Sequence, residues 1–119
     1  MSVLIVEDDP ILRVMYERIA SQSMVHAVIV ETGAEALAAL YQGATFTLVV
    51  LDLTLPDMDG LDLAEAVRKR LPDARLVCIS GLAALAQRNG RSRVFDAVLD
   101  KPLSFDDLRA ALKTPLEAV

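Results

Sequence analysis

The side chains best suited to chemistry in this 119-residue chain are carboxylates. Glu7-Asp8-Asp9 follows one short apolar run, and Asp52 ends another. Ser80 and Lys101 follow two further runs of the same kind. Brought together, Glu7, Asp8 and Asp52 would crowd three negative charges into one place, and a bound cation would relieve the repulsion. Oxygen ligands without His or Cys favour Mg²⁺, which takes one or two carboxylates and completes its shell with waters and phosphate oxygens. Lys101 would offer a phosphate a point charge, and Ser80 would offer a hydroxyl donor. That inventory fits an aspartyl-phosphate centre, in which a carboxylate attacks phosphorus while the metal and the lysine neutralise the developing charge.

Composition removes several competing chemistries. The single His26 excludes a multi-histidine metal centre, and it reads as a partly exposed strand residue. The single Cys78 excludes an internal disulfide and a thiolate-rich zinc site, and it reads as a small core residue. Trp is absent and aromatics make up 4%, which leaves no stacking platform for single-stranded nucleic acid. Seventeen acidic against twelve basic residues give a net charge of −5, which repels phosphate backbones, so no direct nucleic-acid contact is expected. The longest charge-free run, residues 36–51, falls short of the roughly 20 residues of a spanning helix. No membrane contact and a cytoplasmic location are therefore expected, and one unpaired thiol suits that compartment.

The elements that must position these residues alternate along the chain. Short β-branched runs predict strands at Val3–Val6, Val25–Val30, Phe46–Leu51, Ala74–Ile79 and Ala97–Leu99. Between them lie stretches with helical spacing. Asp9-Pro10 reads as an N-cap with proline at the first helical position, ahead of Ile11, Leu12, Met15 and Ile19. Thr32 and Glu35 read as a capping box. Gly60 to Leu71 carries a third apolar stripe, and Pro72-Asp73 ends it. Leu82 to Asn89 predicts a short fourth helix, and Ser104 opens a fifth. The pattern is (βα)₅, and nearly continuous apolar strands call for a parallel sheet covered on both faces. A flavodoxin-like doubly wound five-stranded sheet of order 2-1-3-4-5 would set the first and third strands side by side. Glu7, Asp8 and Asp52 would then meet beyond their carboxyl ends, flanked by Ser80 and Lys101. Asp57 and Asp59 read as turn formers.

Four segments also carry a family resemblance. Val6-Glu7-Asp8-Asp9-Pro10, the stretch from Leu51 to Gly60, Ile79-Ser80-Gly81 and Asp100-Lys101-Pro102 resemble, in order and spacing, the signatures of response-regulator receiver domains. The resemblance spans residues 1–119 as one domain. It implies that Asp52 is the phosphoacceptor. Asp8 and Asp52 would bind Mg²⁺ directly, joined by the backbone carbonyl of Thr54, with Glu7 acting through water. Ser80 would bond a phosphoryl oxygen and move toward it after transfer. Lys101 would pair with the carboxylate and then with the phosphoryl group, and Lys101-Pro102 would be a cis peptide. The Thr54 side chain would line the pocket mouth. The implied donor is a phosphohistidine on a sensor histidine kinase or a histidine phosphotransfer protein. The implied output face joins Leu82–Asn89, Asp96–Leu99 and Ser104–Lys113. The first helix, through Leu12, Met15 and Tyr16, would receive the donor.

The chain departs from the family pattern at three places. Val98 stands where receivers carry Tyr or Phe, Gly81 stands where they carry Ala, and Asn89-Gly90-Arg91-Ser92-Arg93 replaces a Gly-Ala turn. These departures keep open a phosphate-independent interaction module. A haloacid-dehalogenase type hydrolase would need a second Asp at position 54, which is Thr. The implied chemistry is thus the domain's own phosphotransfer and self-dephosphorylation, not turnover of an external substrate. A flavodoxin would need a Ser/Thr/Gly-rich phosphate loop after the first strand, and none is present.

Overall fold

Strand β1 (Ser2–Val6) lies at the centre of the molecule, between β2 (His26–Val30) and β3 (Leu48–Asp52), and β4 (Arg75–Ser80) and β5 (Ala97–Asp100) continue the sheet beyond β3. All four pairings are parallel, and the order is β2-β1-β3-β4-β5. The structure, a computed structural model, describes residues 2–80, 94–100, 106, 107, 109 and 110, with Ser80 and Asp100 described by backbone alone. The expected helix at Leu82–Asn89, the start of a helix at Ser104, and Gly81, Lys101 and Pro102 lie outside the described residues.

Alternation along the strands divides the core in two. Leu4, Val6, Val49, Leu51, Leu76 and Cys78 face α2 (Gly33–Tyr41) and α3 (Gly60–Arg70), packing with Ala36, Leu40, Leu61, Ala64 and Val67. Val3, Ile5, Leu48, Val50, Val77 and Ile79 face the other way, onto Tyr16, Ile19 and Ala20 of α1 (Pro10–Gln22). Every residue of β3 is buried, as a strand covered on both faces requires. The architecture is the flavodoxin-like doubly wound sheet. His26 is exposed at the first position of β2, and Cys78 is a buried free thiol in the core.

Strand ends differ from the sequence expectation by one or two residues, for a specific reason. β3 starts at Leu48, not Phe46, because β1 begins at Ser2 and Val3 pairs with Leu48. The Thr47 N–H instead reaches back to the Ser2 carbonyl at 3.0 Å, and the Thr47 carbonyl accepts from Arg75 N–H at 2.9 Å.

Arg68, near the C-terminus of α3, ties β5 to the sheet. Its guanidinium donates to the carbonyls of Pro72 (3.2 Å), Ala74 (2.7 Å) and Val94 (2.9 Å) and to Asp96 Oδ2 (2.9 Å). The same Asp96 oxygen accepts from Leu76 N–H at 2.7 Å. Burial pushes the Asp96 carboxyl up, but the Leu76 N–H and Arg68 outweigh it and hold the group below its ordinary range.

Candidate functional site

The sheet register brings the acidic residues together. Val6 pairs with Leu51, so the next residues, Glu7 and Asp52, stand side by side at the carboxyl edge of the sheet. Carboxylate oxygens of Glu7, Asp8 and Asp52 all lie within 4.8 Å of one another. Glu7 and Asp52 are buried, at 1% and 3% exposure, while Asp8 is exposed at the rim. Ile79 pairs with Asp52 and Ser80 with Asp100, so the backbone of Ser80 lies one step beyond Asp52 on the neighbouring strand. The placement of Lys101 lies outside the described residues.

Local structure fixes each carboxylate. Glu7 N–H donates to the Val30 carbonyl at 2.9 Å, continuing the β1–β2 ladder by one residue. Glu7 Oε2 accepts from Asp9 N–H at 3.3 Å. Asp9 is the N-cap of α1, accepting from Ile11 N–H at 2.8 Å, with Pro10 at the first helical position as the sequence predicts. Asp52 Oδ1 accepts from Thr54 N–H at 2.9 Å, which aims the carboxylate along its own loop. That loop turns back tightly. Thr54 bridges to Asp59, and Gly60 N–H donates to the Leu53 carbonyl at 2.9 Å. A Cβ on Gly60 would stand 2.5 Å from the Asp52 carbonyl oxygen and from Leu53 Cα, so only glycine permits this approach.

Two residues near the site do more than the sequence indicated. Asp57, read there as a turn former, caps α2 from across the loop. Its two carboxylate oxygens each accept at 2.9 Å, from Gly33 N–H and Ala34 N–H. These two backbone donors hold the Asp57 carboxyl below its ordinary range. No local signal could have shown this, because the partners lie 24 and 23 residues away. Asp59 does cap its own helix, α3, accepting from Leu61 N–H at 2.8 Å. Thr32 and Glu35 form the expected box at α2, except that Glu35 Oε1 accepts from Glu31 N–H and the Thr32 hydroxyl.

Tyr16 is the second. The docking face expected on α1 included it, and the structure corrects that. Tyr16 is 1% exposed and belongs to the stripe of Ile19 and Ala20 that faces the sheet. The outward stripe is Ile11 (72% exposed) and Val14 (56%), which with Pro10, Met15 and Arg18 line an apolar groove of about 360 Å³. The buried Tyr16 hydroxyl has no hydrogen-bond partner among the described residues. Burial, and beyond it the charges of Glu7 and Asp52, raise its proton affinity. An orphan hydroxyl of this kind costs roughly 1–3 kcal/mol unless an acceptor is supplied. Arg13, one turn earlier, pairs with Glu31, which places Glu31 outside the acidic cluster.

The donor set suits a small hard cation. Three carboxylates, two of them withdrawn from solvent, meet in one place, and oxygen ligands of this kind hold Mg²⁺ with part of its water shell retained. No helix among the described residues is long and apolar enough to cross a membrane.

A parallel sheet of this order, with an acidic cluster beyond β1 and β3, defines a CheY-like α/β domain. The chain belongs to the response regulator receiver domain family, whose model matches residues 3–113. It is 33% identical over 107 residues to the response regulator receiver protein CpdR of Brucella abortus, covering 89% of this chain and 88% of that protein. A CheY-like receiver domain protein from Methanospirillum hungatei superposes with a TM-score of 0.88 at 29% identity, over 98% of this chain and 94% of that one. The response regulator TrrA of Thermotoga maritima, solved in complex with Mg²⁺-BeF, does so at 0.80 and 28% identity, over 96% and 97%. Sensor proteins and sensor kinases also match, and the chain spans only 12% to 15% of their length. Receiver domains are signalling modules, not classical enzymes.

Proposed function

We propose that residues 1–119 act as one phosphoacceptor domain in the cytoplasm, with Asp52 the residue that takes the phosphoryl group. The observation that carries this reading is the convergence of Glu7, Asp8 and Asp52 oxygens within 4.8 Å at the carboxyl edge of the sheet. An Asp52 carboxylate oxygen bonds to phosphorus as the P–N bond of a phosphohistidine breaks, and the imidazole leaves to take a proton from solvent. Asp8, Asp52 and the Thr54 carbonyl would hold Mg²⁺, with Glu7 acting through water. When bound, the ion would neutralise charge that develops on the phosphoryl oxygens. Lys101 and Ser80 are proposed to pair with the same oxygens, and water later releases phosphate by attack at phosphorus. The bound Mg²⁺-BeF of TrrA supports the reading by similarity.

The donor is a sensor histidine kinase or a histidine phosphotransfer protein, docking on the Pro10–Arg18 groove of α1. The output is a change of partner binding through the surface expected of Leu82–Asn89, Asp96–Leu99 and Ser104–Lys113, of which β5 is described. Val98, half-buried against the α2–α3 core in place of the usual aromatic, favours one alternative: an interaction module indifferent to phosphate.

Intact-mass measurement after incubation with acetyl phosphate and Mg²⁺ tests the proposal. Wild type should gain one phosphoryl group and Asp52→Asn none. Identical responses would overturn it. Partner binding equally strong for wild type and Asp52→Ala would establish the alternative.

A further inference from the structure

We infer that Tyr16 is a positioning residue of the acidic site, its buried hydroxyl donating through a bridging water to the carboxylates of Glu7 and Asp52. The inference rests on the reading of that site as cation-dependent. Three observations lead to it. First, Tyr16 is almost wholly buried, yet its hydroxyl has no hydrogen-bond partner among the described residues. Second, it packs in the cluster that contains Ile5 and Val50. Strand alternation puts Ile5 and Glu7 on one face of β1, and Val50 and Asp52 on the same face of β3. The tyrosine therefore packs on the face of the sheet to which the two buried carboxylates belong. Third, burial and then the charges of Glu7 and Asp52 raise the hydroxyl's proton affinity, although neither carboxylate bonds it directly. A carboxylate is an acceptor and a neutral phenol is a donor, so the pairing is chemically complementary. A bridging water can carry such a pairing where no direct bond is made.

The side chain is not explained by packing alone. Ile19 and Ala20, its companions on the stripe, are apolar, and phenylalanine would fill the same space without an orphan donor. The hydroxyl finds its use in orienting the lone pairs of Glu7 and Asp52. Groups that orient metal-binding carboxylates from behind typically alter metal affinity by 10–100-fold.

The chain lacks Trp and has two tyrosines, so Tyr41→Phe leaves Tyr16 as the sole emitting residue. Tyr41 is exposed, at the last position of α2. Titrating this variant with MgCl₂ should change Tyr16 fluorescence saturably, with the midpoint that calorimetry gives for Mg²⁺ binding. Tyr16→Phe should bind Mg²⁺ roughly tenfold more weakly while melting close to the wild-type temperature, a split that a purely structural role would not produce. A flat Tyr16 signal during Mg²⁺ binding, or equal affinities, would overturn the inference and leave the phosphoacceptor reading standing. Absence of Mg²⁺ binding in wild type would overturn both. If Tyr16→Phe fails to fold, the fluorescence titration decides.

Discussion

Gly60→Ala should damage stability and phosphorylation together, because one backbone contact serves both. The new Cβ would stand 2.5 Å from the Asp52 carbonyl oxygen and Leu53 Cα and 2.9 Å from the Leu53 carbonyl carbon. Ordinary contact begins at 3.4 Å, so backbone must yield by 0.9 Å, and no flexible side chain is available to yield instead. Overpacking of this kind costs about 1–3 kcal/mol. Stretching the Gly60 N–H bond to the Leu53 carbonyl, now 2.9 Å, adds about 1 kcal/mol. The small helical gain of alanine over glycine offsets little at a first helical position. A net loss of about 3 kcal/mol lowers Tm by roughly 10 °C for a domain of this size. The displaced strand end carries Asp52, and a shift of about 1 Å at a reacting group can slow a reaction by roughly 100-fold. Gly43→Ala is the control. Gly43 has φ of +90° and nothing within 4 Å of a Cβ. It should lose about 1–2 kcal/mol through backbone strain alone and keep its phosphorylation rate. Thermal melts and acetyl-phosphate time courses on both variants measure this. Wild-type behaviour in Gly60→Ala, or equal slowing in Gly43→Ala, would refute the steric argument.

Asp57 and the outer face of α1 give two further predictions. The folded-state proton affinity of Asp57 is lowered by the Gly33 and Ala34 N–H groups, so its contribution to stability is present above its ordinary value of 3.8 and is lost as pH falls through the lowered one. Asp57→Asn keeps one acceptor and loses the other, so it should melt below wild type at neutral pH, with the gap closing in acid. A gap constant across that range would count against the cap. Val14→Asp places a charge in the apolar groove of α1. It should slow phosphotransfer from a histidine phosphotransfer protein by roughly tenfold or more, as loss of an interface anchor does, while leaving acetyl-phosphate labelling unchanged. Equal slowing with both donors would place the groove outside the docking surface.

The residues that were legible in the sequence obey short-range rules. Asp9-Pro10 announces the start of α1 because the cap and its donors are two and three residues apart. Alternation announces which strand residues share a face, and the order of the strands then makes the meeting of Glu7, Asp8 and Asp52 a matter of register. The distant contacts of Asp57, Gly60 and Arg68 were not legible for the converse reason. Each earns its place by a relation to backbone that the fold alone brings near: the start of α2, the end of β3, the approach to β5. A turn-forming aspartate, a helix-start glycine and a basic residue in a last helical turn are all ordinary where they stand, so their types carry no trace of the long-range contact.

Helical spacing groups Leu12, Met15 and Tyr16 on one face but does not say which way that face turns. In the fold all three pack on the core beside Ile19, Tyr16 fully and Leu12 and Met15 partly buried, while Ile11 and Val14 turn outward. One helix therefore serves two purposes on opposite sides: a phenol on the carboxylates' face of the sheet and an apolar groove toward solvent. Changes on the two sides should separate in experiment. A substitution in the groove acts on which donor is accepted, and a substitution at Tyr16 acts on how the carboxylates hold the cation whichever donor is used.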